Sequence, residues 1–188
     1  MKKSILLLVS LLCMACHDSP KLSKEKNSPQ ANKFGIVIHG GAGVIKKENM
    51  TDSLRLAYEE KLGEAIDVGH KILAEGGTAL EAVQKTINVM ENSPLFNSGK
   101  GAVLNADGVA ELDASVMDGN TKNAGAISGV QHIKNPINLA LKVMHESDHV
   151  MLSAEGAEEF AKLHDLEFVE NAYFITERRK QALEASKA

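Results

Sequence analysis

Residues 39–43 have the sequence HGGAG, in which a histidine and three glycines follow an apolar segment. The histidine could take part in chemistry, and the glycines leave the backbone beside it without side chains. Glycines allow a ligand to approach the backbone closely, as in phosphate-binding turns. Gly41 and Gly43 supply the start of a dinucleotide-binding fingerprint, but Lys46 stands where its third glycine is required. The pattern argues against such a site and leaves His39 with either a structural or a chemical role.

A second glycine-rich turn, NSGKG at residues 97–101, contains a Gly-Lys pair that is typical of P-loops. Pro94 occupies the position of the first P-loop glycine, and Gly101 replaces the Ser or Thr that binds magnesium. The proline and glycines of loop 90–100 could instead turn several backbone carbonyls toward one hard cation. A helix end followed by an ordinary turn explains the same residues more simply, so the pattern alone leaves both interpretations open.

The remaining composition excludes several classes of site and partner. No cysteine follows Cys16, which argues against thiol chemistry and cysteine-ligated zinc in the folded part. His145 and His149 are four residues apart, but His149 belongs to the next predicted strand, so the pair lacks metal-ligand spacing. The formal net charge is −4 and there is no basic stripe, so nucleic acid is not an expected partner.

Residues 1–16 have the features of a secretory signal peptide. Lys2 and Lys3 precede an apolar run at 5–12, and the small residue Ala15 follows. The apolar run is too short to span a bilayer as a stable helix.

The end of this segment resembles a bacterial lipobox, in which Cys16 would be lipidated. Cys13 stands where leucine is usual, so simple cleavage near Ala15 is the alternative. Residues 17–33 are polar and contain two prolines, which is typical of a flexible tether, and residues 34–188 would form one domain. We therefore expect an exported bacterial protein, either periplasmic or held at a membrane by a lipid anchor alone.

Hydrophobic periodicity predicts the elements that position the two turns. FGIVIH, residues 34–39, is a predicted strand. A long helix is predicted to begin at an N-cap supplied by Thr51, Asp52 or Ser53 and to end at the glycines 76–77. Thr78 and Glu81 have the spacing of a capping box at the start of a second helix.

The second half of the chain predicts further strands and helices. These are a hairpin around 107–108, a strand at 123–130, a helix from the Asn135-Pro136 cap to about Glu146, a buried strand at 149–153, a helix at 154–164 and a charged helical tail from 176 to 188. This mixed order predicts an α/β (α+β) fold with a partly antiparallel sheet.

Several short motifs then follow one another along the chain. They are HGGAG at 39–43, PLFNSGKGA at 94–102, ELDA at 111–114, MDG at 117–119, NP at 135–136, SDHV at 147–150, EGAE at 155–158 and TERR at 176–179. In this order they resemble the plant-type asparaginase and isoaspartyl peptidase family over nearly all of residues 34–180.

This resemblance implies the αββα sandwich of the N-terminal nucleophile hydrolases. It also implies a precursor that cuts itself into an α and a β subunit, the new N-terminal threonine of β being the nucleophile. The α-amine of that threonine can take the hydroxyl proton, and water then releases the acyl group. The implied substrates are L-asparagine and β-aspartyl (isoaspartyl) dipeptides, and no organic cofactor is implied.

The resemblance covers the α-subunit half of the family only. The family's nucleophile lies in a Thr-Val-Gly-Ala context, and no threonine of this sequence has that context. The threonines compared are Thr51, Thr78, Thr86, Thr121 and Thr176. We therefore expect a chain that lacks the catalytic nucleophile and is inert alone. It would need a β subunit from the same precursor and would form a dimer of αβ pairs.

The resemblance also implies roles for residues of this half. The backbone carbonyls of a structural sodium site would come from Met90, Glu91, Ser93, Phe96, Ser98 and Lys100. Asn97 would lie nearest the nucleophile. The glycine loop implicated in self-cleavage and subunit contact corresponds to His39, Gly40, Gly41 and Gly43. Asp113, Asp118 and Asn120 are weaker candidates, because capping and turn roles explain them equally well.

Two other functions are compatible with the sequence. One is a truncated or degenerate lipoprotein that only binds a partner at the cell surface. The other is the glycosylasparaginase branch, which shares the fold and mechanism but prefers glycan-linked asparagine. The glycine turn and the sodium-type loop fit the asparaginase and isoaspartyl peptidase branch better.

Overall fold

The computed structural model describes residues 33–41 and 50–188 of the 188-residue chain. The predicted signal peptide with Cys16, nearly all of the predicted tether, and Gly43 lie outside the described residues. The described residues belong to one compact unit, Lys33–Ala188.

Two helices pack on each other in the first half of this unit. Helix α1 spans Asp52–Ala74 and helix α2 spans Ala79–Glu91. Both N-caps are as predicted: the Thr51 side chain accepts the N–H of Leu54 at 3.2 Å, and the Thr78 side chain accepts the N–H of Glu81 at 3.1 Å. Because these cap bonds span only three residues, the local sequence is enough to predict them.

The second half contains a three-stranded sheet of order β1-β2-β3. Strand β1, Leu112–Met117, pairs antiparallel with β2, Ala124–Val130, and β2 pairs parallel with β3, Met151–Ser153. The strand predicted at 123–130 and the partly antiparallel sheet are therefore confirmed. The hairpin predicted around 107–108 is short, with a single bridge between Leu104 and Ala110.

Helices cover this sheet and complete the core. Helix α3, Pro136–Glu146, packs on β1 and β2, and helix α4, Ala154–Leu163, packs on β2 and β3. A 3₁₀ turn at Asn171–Tyr173 and helix α5, Glu177–Lys187, follow. The largest fully buried apolar side chains of the core are Phe174, Ile127, Ile133, Ile137, Leu139, Val130 and Val143. The predicted mixed α/β fold is confirmed.

Two strand predictions differ from the structure. Residues 34–39 pair with no other strand among the described residues. Ile36 lies against the α1–α2 pair, while the side chain of Val37 is 94% exposed. The strand predicted as buried at 149–153 shortens to β3, whose first and last residues are exposed while Leu152 packs against the core, because β3 lies at the sheet edge with only β2 beside it. A strand pattern predicts extended backbone, but a ladder also requires a partner that the pattern does not specify.

No helix in the described part of the chain is long and apolar enough to cross a membrane.

Candidate functional site

The loop that follows α2 is closed by its own backbone. The carbonyl of Glu91, the last residue of α2, accepts the N–H of Lys100 at 2.7 Å, and the carbonyl of Gly99 accepts the N–H of Ala102 at 2.9 Å. A Cβ at Gly99 would overlap the Glu91 carbonyl. The two ends of loop 90–100 therefore touch, and glycine is required for them to do so.

Gly101, which follows the loop, has a φ of +97° and lies close to two carbonyls of the loop. A Cβ at Gly101 would lie 2.7 Å from the carbonyl oxygens of both Pro94 and Phe96. The loop is fixed to α1 by Tyr58, whose hydroxyl donates to the carbonyl of Leu95 at 2.9 Å. The ring of Tyr58 also meets the buried Phe96 ring edge-on at a centroid distance of 5.9 Å.

Loop 90–100 contains backbone oxygens without a hydrogen-bond donor among the described residues. No described residue donates a hydrogen bond to the carbonyl oxygens of Phe96, Ser98 or Lys100, three of the six predicted sodium ligands. The other three, Met90, Glu91 and Ser93, each accept one backbone N–H. A carbonyl oxygen has two lone pairs, so one hydrogen bond leaves capacity for a cation. Hard cations such as sodium and calcium prefer oxygen donors of this kind.

The side chain of Glu91 joins this loop to the sheet layer. It is 1% exposed, and its Oε1 accepts the N–H of Ile137 at 2.9 Å. Its Oε2 accepts the side-chain amides of Asn135 at 2.9 Å and of Asn88 at 3.2 Å. Burial raises the pKa of Glu91 from 4.5 to about 7, although the three N–H donors oppose the shift.

This arrangement corrects the predicted cap of α3. Asn135 does precede Pro136, but its side chain makes no capping hydrogen bond. It donates instead to Glu91, and Glu91 takes over the capping of the Ile137 N–H. The sequence predicts only a backbone role for Glu91 and gives no sign of the role of its carboxylate. No local signal could reveal it, because Glu91 and Ile137 are 46 residues apart.

The first glycine turn lies beside the same loop. A Cβ at Gly40 would lie 3.2 Å from the side chain of Leu62 and 3.8 Å from the ring of Phe96. Gly41 has a φ of +132°, which favours glycine. His39 is exposed at a cavity of about 350 Å³ that Met90 and Ser98 also line. The structure therefore brings His39, Gly40 and Gly41 to loop 90–100.

Asn97 lies at a second cavity, of about 300 Å³, whose wall also includes Glu111 and Asp113. Ser98 lines both cavities, so the cavity of His39 and the cavity of Asn97 are neighbours. The hydroxyl of Ser98 is buried and has no hydrogen-bond partner among the described residues. Asn97 itself is exposed, and its amide is free to face whatever covers this cavity.

The three weaker candidates have structural roles. Asp113 accepts the N–H of Gly129 at 2.8 Å and so links β1 to β2, although it also lines the cavity of Asn97. Asp118 accepts the N–H of Asn120 and the hydroxyl of Thr121, both at 2.9 Å, and these hydrogen bonds lower the pKa of Asp118. Asp118 and Asn120 belong to the β1–β2 turn, and neither lines the cavities at loop 90–100.

Mixed α/β layers with a backbone-carbonyl loop, a glycine turn and an exposed asparagine are consistent with an N-terminal nucleophile hydrolase. The family described as "Asparaginase" matches residues 32–188. The chain belongs to this asparaginase family.

Relatives with curated names are similar over most of the chain. An isoaspartyl peptidase of Salmonella typhimurium is 44% identical over 157 residues, which cover 84% of this chain and 50% of the relative. An isoaspartyl peptidase of Escherichia coli is 45% identical, with 82% and 48% covered. A plant-type L-asparaginase of Pyrococcus horikoshii is 48% identical over 128 residues, with 68% and 40% covered. The chain thus spans about half the length of the curated relatives it matches.

Proposed function

We propose that this chain is the α part of an enzyme that hydrolyses the side-chain amide of L-asparagine and the isopeptide bond of β-aspartyl dipeptides. Relatives named isoaspartyl peptidase and plant-type L-asparaginase are 44–48% identical to it and about twice as long as the matched part. The observation that carries the proposal is the approach of the glycine turn to loop 90–100, where the Phe96 ring, next to Asn97, lies 3.8 Å from the position that a Cβ at Gly40 would take.

The chemistry requires a nucleophile that this chain does not provide. In the proposed enzyme a β segment begins with a threonine, released when the precursor cuts itself. The threonine α-amine accepts the hydroxyl proton, the oxygen attacks the side-chain carbonyl, and ammonia or an amino acid leaves. Water then hydrolyses the threonine ester and releases aspartate. This chain alone would be inert.

The α part would shape the site around that threonine. The exposed amide of Asn97 can donate a hydrogen bond to the threonine oxygen or to the substrate from the cavity wall. The bare backbone at Gly41 gives the β segment room to approach, because nothing among the described residues lies within 4 Å of its Cβ position. His39 borders the neighbouring cavity and would help to position the segment to be cut.

A structural sodium ion would stabilise loop 90–100 in this enzyme. Its ligands would be the six predicted carbonyls, three of which have no hydrogen-bond donor among the described residues. The ion would hold the loop that carries Asn97 and would take no part in the bond cleavage. No organic cofactor is needed for this reaction.

The β segment would be an obligate partner, and αβ pairs would then dimerise. Residues 34–39 have no strand partner in the described part of the chain, and Val37 is exposed; both observations support this, because an extended segment without such a partner leaves its N–H and C=O groups available. We further propose that residues 1–16 direct export, that Cys16 carries a lipid anchor, and that 17–33 tether the domain of 34–188 in the periplasm or at the membrane.

Hydrolysis by the full-length protein, meaning the precursor that includes the proposed β segment as well as residues 1–188, tests this function. Ammonia release from L-asparagine and aspartate release from a β-aspartyl dipeptide should both be observed. Asn97→Ala should lower kcat by roughly a hundredfold, in the range found when a hydrogen-bond donor to a reacting oxygen is removed. Asn123→Ala, an exposed asparagine in the β1–β2 turn, is the matched control and should keep the wild-type rate. Activity on glycan-linked asparagine alone, or no hydrolysis at all, would reject the proposal.

A further inference from the structure

Loop 90–100 is held from outside by the segment that leads into α5. The N–H of Gly101 donates to the carbonyl of Phe174 at 2.7 Å, and the carbonyl of Gly101 accepts the Nε–H of Arg179 at 2.6 Å. Phe174 is fully buried in the core. Both backbone groups of one glycine are therefore bound by residues more than 70 positions further along the chain.

These two bonds orient the peptide planes on either side of Gly101. A peptide unit is planar and trans, so its C=O and its N–H point in opposite directions. The bond from the Gly101 N–H to Phe174 thus sets the direction of the Lys100 carbonyl, which is one of the predicted sodium ligands. Arg179 holds the next plane through the Gly101 carbonyl, and the N–H of that plane, from Ala102, donates to Gly99.

The hydrogen bond from Arg179 restrains Gly101, whose backbone is intrinsically flexible. With no Cβ and a φ of +97°, Gly101 can rotate between several backbone conformations at little cost. The Gly101–Ala102 plane has two anchors, the bond from Arg179 to its carbonyl and the bond from its N–H to Gly99, so loss of Arg179 would leave the plane held on one side only and would loosen the end of the loop. A charged N–H donor to a carbonyl is roughly twice as strong as a neutral one, so Arg179 suits this role.

We propose that Arg179 is a positioning residue for the cation loop: through the carbonyl of Gly101 it keeps the loop carbonyls directed at one ion and Asn97 directed at its cavity. This rests on the proposed function and on its sodium site. The proposed role also gives helix α5 a function. None of its residues is buried, so core packing does not account for the helix. Arg179 does not touch the substrate and acts through Gly101.

The test compares Arg179→Met with Lys180→Met in the full-length protein. Lys180 lies one residue further along α5, is exposed, and its side chain makes no hydrogen bond or ion pair with the described residues. Both variants remove one positive charge from the same turn. The melting temperature is measured as NaCl replaces choline chloride at constant ionic strength, and the NaCl concentration giving half of the stabilisation is compared.

Arg179→Met should raise this midpoint concentration roughly tenfold, the usual effect of removing a residue that orients a metal ligand. It should also lower kcat with little change in KM, because Asn97 moves while substrate binding groups stay. Lys180→Met should leave both values unchanged. Arg179→Lys keeps a positively charged donor but lacks the rigid guanidinium, so its midpoint should lie between those of the wild type and Arg179→Met. If Arg179→Met does not fold, the midpoint of Arg179→Lys tests the role of Arg179 instead.

Equal midpoints for Arg179→Met and Lys180→Met would overturn the inference. If Arg179→Met is unfolded, a wild-type midpoint for Arg179→Lys would overturn it. It would also fail if the stability of the wild-type protein does not respond to sodium. None of these results depends on hydrolysis. The proposed function fails separately, if the wild-type protein hydrolyses neither asparagine nor a β-aspartyl dipeptide.

Discussion

The Oε1 atom of Glu91 accepts the backbone N–H of Ile137 at 2.9 Å, so a carboxylate at the end of α2 caps the start of α3. The backbone carbonyl of the same residue accepts the N–H of Lys100. Glu91 therefore holds the candidate cation loop with its main chain and the sheet-covering helix with its side chain. The loop and the helix layer of the sheet are joined through one buried residue.

Replacing Glu91 by Ala should destabilise the protein strongly. The N–H of Ile137 and the amides of Asn88 and Asn135 would each lose a buried partner, and a cavity would remain. We expect a loss of about 3 kcal/mol in the free energy of unfolding, measured by urea denaturation at pH 6. Glu64→Ala, an exposed glutamate of α1, is the control and should change this free energy by less than about 0.5 kcal/mol. Equal losses for the two variants would show that the Glu91 contacts contribute nothing.

Stability should fall as the pH rises through neutrality. The folded-state pKa of Glu91 is raised from 4.5 to about 7, so between these values the folded protein holds a proton that the unfolded chain releases. This contribution is fully present below pH 4.5 and is lost as pH rises through 7, at a cost of about 3 kcal/mol. The free energy of unfolding measured from pH 5 to pH 8 should therefore decrease, and Glu91→Gln should flatten the decrease. Parallel curves for wild type and Glu91→Gln would contradict this.

Alanine should not be tolerated at Gly101. Its φ of +97° disfavours any side chain, and a Cβ would lie 2.7 Å from two carbonyl oxygens. We expect Gly101→Ala to lower the free energy of unfolding by about 3 kcal/mol and to weaken any sodium response. Gly119→Ala is the control, because nothing lies within 4 Å of its Cβ position. An equal, small effect at both positions would show that the loop relaxes without cost.

Two glycines of α1 should respond to alanine with opposite signs. At Gly69 a Cβ would overlap the hydroxyl of Thr86 on α2 and the side chain of Ile36, so Gly69→Ala should destabilise by about 2 kcal/mol. At Gly63 nothing lies within 4 Å, so Gly63→Ala should stabilise by about 0.5 kcal/mol through its higher helix propensity. Thermal denaturation of both variants measures the difference. A shift of the same sign in both would refute the close approach of the two helices.

The sequence predicts most of the fold where the determining contacts are local. The caps at Thr51 and Thr78 depend on hydrogen bonds across three residues, and both are present. Strand β2 follows from its run of small and apolar residues. The exposure of β3 could not be predicted, because its apolar residues give no information on how many strands flank it.

The sequence predicts which segments form the candidate site, but it does not predict the long-range contacts that hold them. The motifs around His39 and Asn97 identify two turns, and the structure brings both to loop 90–100. The carboxylate of Glu91 and the guanidinium of Arg179 were not predicted, because their partners lie 46 and 78 residues away. Periodicity describes which face of an element is apolar, whereas such long-range polar pairs depend on the packed tertiary structure.

In the proposed enzyme, a threonine of the β segment completes the asparaginase-type site. Ammonia release from L-asparagine is measured on the full-length protein and on residues 33–188 expressed alone, with circular dichroism to verify that the shorter chain is helical. We predict ammonia release by the full-length protein and none by residues 33–188. Ammonia release by residues 33–188 alone, or no release by the full-length protein, would refute the proposed role of the β-segment threonine.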